Sequence, residues 1–128
     1  MLQSLEANSL LERFDISPED LALLKQCGEA MSSTNRIEGV VDHFYDWLRA
    51  QPEFTIFFNS EETVERVKKL QKKYWNEFFS GTVDQNYVDY RVRIGEIHAQ
   101  RDMPNLIYFA AMSRFNELIA DAIVTCQL

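Results

Sequence analysis

The chain has little of what several classes of function require. Lys and Arg number 13 against 20 Asp and Glu, a formal net charge of −7. The basic footprint needed to hold a nucleic-acid backbone or an anionic membrane surface is therefore missing. The two cysteines, Cys27 and Cys126, form neither a disulfide framework nor a metal-ligand spacing. They read as small hydrophobes in a reduced, cytoplasmic setting. No run approaches the roughly 18 apolar residues of a membrane span. No basic stretch leads into an apolar one at the N-terminus, as a signal peptide would require. Only four Gly and three Pro interrupt 128 residues. No convincing period-2 stretch, internal repeat or low-complexity tract is present. One nearly all-α domain over residues 1–128 is the reading that survives.

What is present is helical periodicity and rings. Nine Phe, five Tyr and two Trp are generous for this length, enough for an aromatic core or a ring-lined pocket. Residues 2–14, with Leu5, Leu10, Leu11 and Phe14, read as a short helix in an N-terminal arm (residues 1–16) ahead of a core over residues 17–128. Ser17-Pro18-Glu19-Asp20 is a helix start: Ser17 caps, Pro18 suits the first turn and Asp20 completes a capping box. That helix runs to Ser32 with Leu21, Leu24, Gly28 and Met31 on one face. A third begins at Thr34 or Asn35, carries Ile37, Val40, Val41, Phe44 and Leu48 as its stripe with Tyr45 on the flank, and is stopped by Pro52. Residues 52–58 form one short turn or helix ending in Phe57 and Phe58. A long helix starts at Ser60 and is ended by Gly81; Asp84 caps the next, which reaches Arg101. The last begins at Pro104.

Two polar residues sit inside apolar stripes. Gln71 falls in the middle of the face made by Val64, Val67, Tyr74 and Phe78. Either a neighbour or water satisfies its amide, or the amide is a donor aimed at a ligand. His98 shares a face with Tyr87, Tyr90, Ile94 and Ile97. No Cys, second His or carboxylate stands at ligand spacing around it, so zinc is poorly served. Haem iron asks the protein for only one or two ligands, so a single His in an apolar face is enough. The alternative is a core histidine with both nitrogens hydrogen-bonded. His43, beside its stripe near Trp47, reads as structural.

Several stretches carry a family likeness. Phe44-Tyr45-Asp46-Trp47-Leu48 is followed closely by Pro52-Glu53. Val64-Glu65-Arg66-Val67 leads into an aromatic helix end and Phe79-Ser80-Gly81. Asp84 and Tyr87 precede Arg91, Arg93-Ile94 and Ile97-His98, and Pro104 opens the next helix with Tyr108 after it. In this order, over about residues 17–123, the chain resembles the globin domain of bacterial globin-coupled sensors. These include haem-based aerotaxis transducers, oxygen-regulated diguanylate cyclases and stressosome sensor subunits.

The resemblance implies a globin-like helical fold with an extra N-terminal helix, haem b as cofactor, and a gas-sensing role without catalysis. His98 matches the proximal iron ligand of the F helix. Tyr45 matches the B-helix tyrosine that hydrogen-bonds bound O2 in many members. Val67 matches an apolar gate on the E helix, and Gln71 lies one turn further along as a second candidate donor. Phe44, Phe57 or Phe58, and Tyr74 wall the pocket, and Ile94 and Ile97 support its proximal side. The implied partners are O2 or another diatomic gas and a downstream output domain. Relatives continue into a final H helix, for which residues 1–128 hold no sequence. The broad apolar arc of the last helix (Tyr108, Ala111, Met112, Phe115, Leu118, Ile119, Ile123) then implies a shortened chain or a homodimer through that helix. Some stressosome relatives keep the shape without haem, so the alternative is a haem-free dimerisation and signalling module.

Overall fold

The computed structural model describes residues 5–126, and each element in it is a helix. In chain order these are α1 (Ala7–Arg13), α2 (Pro18–Ser32), α3 (Arg36–Arg49), α4 (Phe54–Phe57), α5 (Glu61–Phe78), α6 (Gln85–Gln100) and α7 (Asn105–Thr125). The predicted first helix is shorter than residues 2–14, and Leu2 lies outside the described residues. No described helix is long and apolar enough to cross a membrane.

Side-chain caps set three of the starts. Ser17 Oγ accepts from the Asp20 N–H at 3.2 Å while Asp20 Oδ2 accepts from the Ser17 N–H at 2.9 Å, the reciprocal box that the spacing predicts. Those bonds hold the Asp20 carboxyl below its ordinary pKa. Ser60 Oγ accepts from Thr63 N–H at 3.2 Å and Asp84 Oδ1 from Tyr87 N–H at 2.9 Å, opening α5 and α6. The start of α3 falls later than the sequence pattern places it. Asn35 takes φ 54°, the left-handed region that Asn tolerates, so the helix begins at Arg36. Gly81 does not terminate α5, which stops at Phe78. It sits in the following loop at φ 75°, where a Cβ would stand 2.5 Å from the Leu21 carbonyl oxygen. Only glycine lets this loop press against α2 in that conformation.

The core gathers around α3, which packs most extensively on α7 and α5. Ile37, Val40, Val41, Phe44 and Tyr45 are its buried residues. They meet Met31 of α2, Val64 of α5, and Phe115 and Ile119 of α7 in one cluster. A ladder of rings runs through it. Tyr45 lies edge-on to Phe44 at 5.3 Å, Phe44 to Phe115 at 5.0 Å, and Phe115 stacks on Trp75 at 4.7 Å and 8°. Surface ion pairs brace α3 against α5: a bidentate Arg49–Glu61 pair at 2.6 and 2.9 Å, and Asp42 with Lys68 at 2.9 Å and Lys72 at 3.5 Å. Such solvated pairs add little to stability.

α6 is attached differently. It has no such broad approach to another helix and is held by particular side chains. At its start, Gln85 Oε1 accepts from Ala7 N–H at 3.0 Å and Gln85 Nε2 donates to the Leu5 carbonyl at 2.6 Å, tying α1 to α6. In its middle, the Arg91 guanidinium lies over the rings of Tyr87 at 3.3 Å and Tyr74 at 4.3 Å and donates to the Tyr74 carbonyl at 3.2 Å. The apolar arc of α7 divides. Phe115, Ile119 and Ala122 are buried, whereas Leu106, Phe109 and Val124 are 81, 65 and 82% exposed.

Candidate functional site

His98 lies near the end of α6, half-buried. Its Nδ1 is 2.8 Å from the Ile94 carbonyl oxygen one turn earlier. A carbonyl only accepts, so this nitrogen carries the proton and donates it. In the neutral ring Nε2 is then the nitrogen with the lone pair. Metal-binding imidazoles are commonly oriented in this way, one nitrogen on a backbone carbonyl and the other on the metal. Tyr108 of α7 stands edge-on to the imidazole at 5.8 Å and 69°. Ile94 is half-buried, but Ile97 is 41% exposed. One residue turns about 100° around a helix, which sets Ile97 away from the face that His98 occupies. Of the two residues expected to support the proximal side, Ile94 is thus the more enclosed.

Tyr45 lies on α3 and is 2% exposed. Burial alone pushes its hydroxyl above the ordinary tyrosine pKa, with no hydrogen bond or charge acting on it. It is a neutral O–H in an apolar setting, and no protein acceptor engages it among the described residues. Phe58 lies edge-on to Tyr45 at 6.0 Å and is itself stacked on Phe54 at 5.0 Å. Phe44 is 6% exposed, Phe57 is half-buried, and Val67 packs against the same cluster from α5.

Gln71, half-buried on α5, has part of its amide engaged: Trp75 Nε1–H donates to Gln71 Oε1 at 3.1 Å. The neighbour-satisfied alternative thus accounts for the oxygen, and the NH2 end has no described partner. Tyr74 is drawn towards Arg91 rather than standing as a free wall residue. Phe44, Tyr45, Phe58 and Val67 thus come together in one cluster, and Gln71 joins its edge through Trp75. His98, Ile94 and Tyr108 form a separate group on α6 and α7. His43 is exposed. Trp75 and Arg91 are the residues whose roles the sequence did not disclose, although an indole one helical turn from a polar intruder is a readable signal.

Among the described residues, no group of three or more His, Cys, Asp or Glu is placed to hold a metal ion. His98 is therefore a lone imidazole whose Nε2 is the nitrogen left for a ligand. That suits a metal bringing most of its own ligands, as haem iron does. The Tyr45 hydroxyl and the NH2 end of Gln71 are donors of the kind a small acceptor ligand needs.

The all-helical order of the described elements is that of a globin-like fold. The protoglobin family model matches residues 3–128, and the chain belongs to the protoglobin family. Over 87 residues it is 32% identical to the heme-based aerotactic transducer HemAT of Halobacterium salinarum. That match covers 67% of this chain and 18% of the transducer, so the chain spans less than a fifth of its relative. Both findings bear out the resemblance to globin-coupled sensors carried by the sequence motifs. No solved structure matches significantly.

Proposed function

We propose that this domain binds haem b through His98 and senses a diatomic gas, O2 foremost, for a signalling output outside these residues. The observation that carries the reading is the His98 Nδ1–Ile94 hydrogen bond at 2.8 Å, which leaves Nε2 as the free ligand atom. Similarity to a heme-based transducer supports the same role. When bound, haem supplies an iron whose remaining position accepts the gas. Tyr45 offers a neutral O–H and Gln71 an N–H to an acceptor atom of that gas. Phe44, Phe57, Phe58 and Val67 provide the apolar wall that keeps water away, and Ile94 backs the histidine side. The role is binding and relay, with no catalytic residue assigned. We place the domain in the cytoplasm, where Cys27 and Cys126 remain free thiols. The exposed side of α7, with Leu106, Phe109 and Met112, is assigned to a second copy of the chain.

An absorption spectrum after one equivalent of hemin, then dithionite, then CO tests this reading. A sharp Soret band that shifts with CO is expected. A broad, unshifted spectrum overturns it in favour of a haem-free dimerisation and signalling module. One observation favours that second reading: the open concavity along α7 reaches Tyr108 beside His98, another lies between α2 and α5 at Gly28, and neither is lined by Tyr45 or Gln71.

Tyr45→Phe removes the hydroxyl and leaves the ring. Stopped-flow O2 dissociation is expected to accelerate about tenfold or more, the equivalent of one lost hydrogen bond to a charged acceptor. CO dissociation should change little. An unchanged O2 rate would remove Tyr45 from the donor role.

A further inference from the structure

We infer that Trp75 fixes Gln71 as a hydrogen-bond donor and so biases the pocket towards O2 over CO. The inference rests on the haem reading above and adds a residue that sets its ligand preference. A primary amide presents an acceptor at one end and two donors at the other, whereas an indole N–H only donates. The oxygen of Gln71 is therefore the only end that can meet Trp75 Nε1, and it does so at 3.1 Å. Rotating the amide by half a turn would set donor against donor.

The indole is itself held. Its ring stacks on Phe115 at 4.7 Å and 8°, and Tyr74 and Phe78 lie edge-on at 5.2 and 5.1 Å. Phe115 is 3% exposed and belongs to the central cluster. Swinging Trp75 away would break a stack against the core. Gln71 thus has its acceptor occupied and its NH2 end available, in a half-buried position on the stripe of α5 that also carries Val67 and Tyr74. A site limited to donors favours the gas that is the better acceptor, which is O2. Trp75 touches no ligand in this scheme and acts as a positioning residue.

Trp75→Phe keeps a six-membered ring able to stack on Phe115 and deletes the N–H with the pyrrole half of the indole. Gln71→Glu keeps an acceptor for Trp75 and removes the donors. Gln71→Leu removes both. The first measurement needs no haem: the side-chain NH2 pair of Gln71 and the Trp75 indole N–H in 1H–15N spectra of the full chain. The Gln71 pair should move to solvent-like shifts in Trp75→Phe, and the indole signal should stay in Gln71→Glu and move in Gln71→Leu. An unmoved Gln71 pair in Trp75→Phe overturns the positioning role.

The second measurement is gas dissociation from the haem-loaded protein. All three variants should release O2 about tenfold faster. Trp75→Phe combined with Gln71→Leu should be no faster than Gln71→Leu alone, and CO release should change less than twofold. Multiplicative effects, or a wild-type O2 rate in Gln71→Leu or in Trp75→Phe, overturn the assignment of ligand preference. Wild-type protein that takes up no haem overturns the haem reading and that preference with it. The spectra without haem then decide the amide orientation separately.

Discussion

Replacing His98 by Ala should leave a folded protein that no longer takes up haem: hemin titration should give no sharp Soret band, and dithionite and CO should produce no shift. Affinity should fall by more than about a hundredfold, beyond the 10–100-fold typical of losing a partner that merely supports a metal ligand. No cluster among the described residues offers a substitute ligand set. The fold should survive because His98 is half-buried and outside the central cluster. Helical circular dichroism without haem should match that of the wild type. His98→Gly supplied with free imidazole should recover part of the Soret band, because the missing group is the ring itself. Normal loading of His98→Ala with an unchanged CO shift would show that another residue, or none, binds the iron.

Phe115→Ala carries the largest expected cost in stability. The ring is 3% exposed and lies between Phe44 at 5.0 Å and Trp75 at 4.7 Å, joining α7 to α3 and α5. Truncating such a ring costs ~3–5 kcal/mol through lost transfer energy and the cavity left behind. A domain of this kind has a total stability of about 5–15 kcal/mol. The melting midpoint of the haem-free protein should fall by about 10–20 °C. Val124→Ala is the control on the same helix: Val124 is 82% exposed, and its loss should stay within ~0.5 kcal/mol. Equal midpoints for the two variants would mean that the ring ladder does not hold α7 in place.

The helices were largely legible because their signals are local. Ser17, Ser60 and Asp84 mark starts through bonds that close within three residues, and the stripe of α3 names its own core face. Errors arose where tertiary packing chose among local options. Asn35 accepts the cap of a helix or a left-handed turn equally well, and the structure uses the turn. Gly81 resembles a helix stop, yet it is the point where a loop meets the α2 backbone. At the candidate site, periodicity located Gln71 and His98 but could not state what satisfies them. The Ile94 carbonyl and the Trp75 indole are each one turn away and become partners only through rotamer choice. The Arg91 sandwich was out of reach, because it needs Tyr74, 17 residues earlier and on another helix.

The Gln85 tie has a consequence for how the chain assembles. It joins Ala7 to a residue 78 positions later, after nearly all the other helices have been laid down. Closing so long a loop adds little to the thermodynamic cost, since each doubling of length costs only ~0.6 kcal/mol. The penalty falls on the timing: contacts between distant parts of the chain form slowly and follow the local ones. α2, α3 and α5 are neighbours in the chain and can consolidate early, whereas the helix that carries His98 gains its tie to the first segment only when that segment returns to meet it.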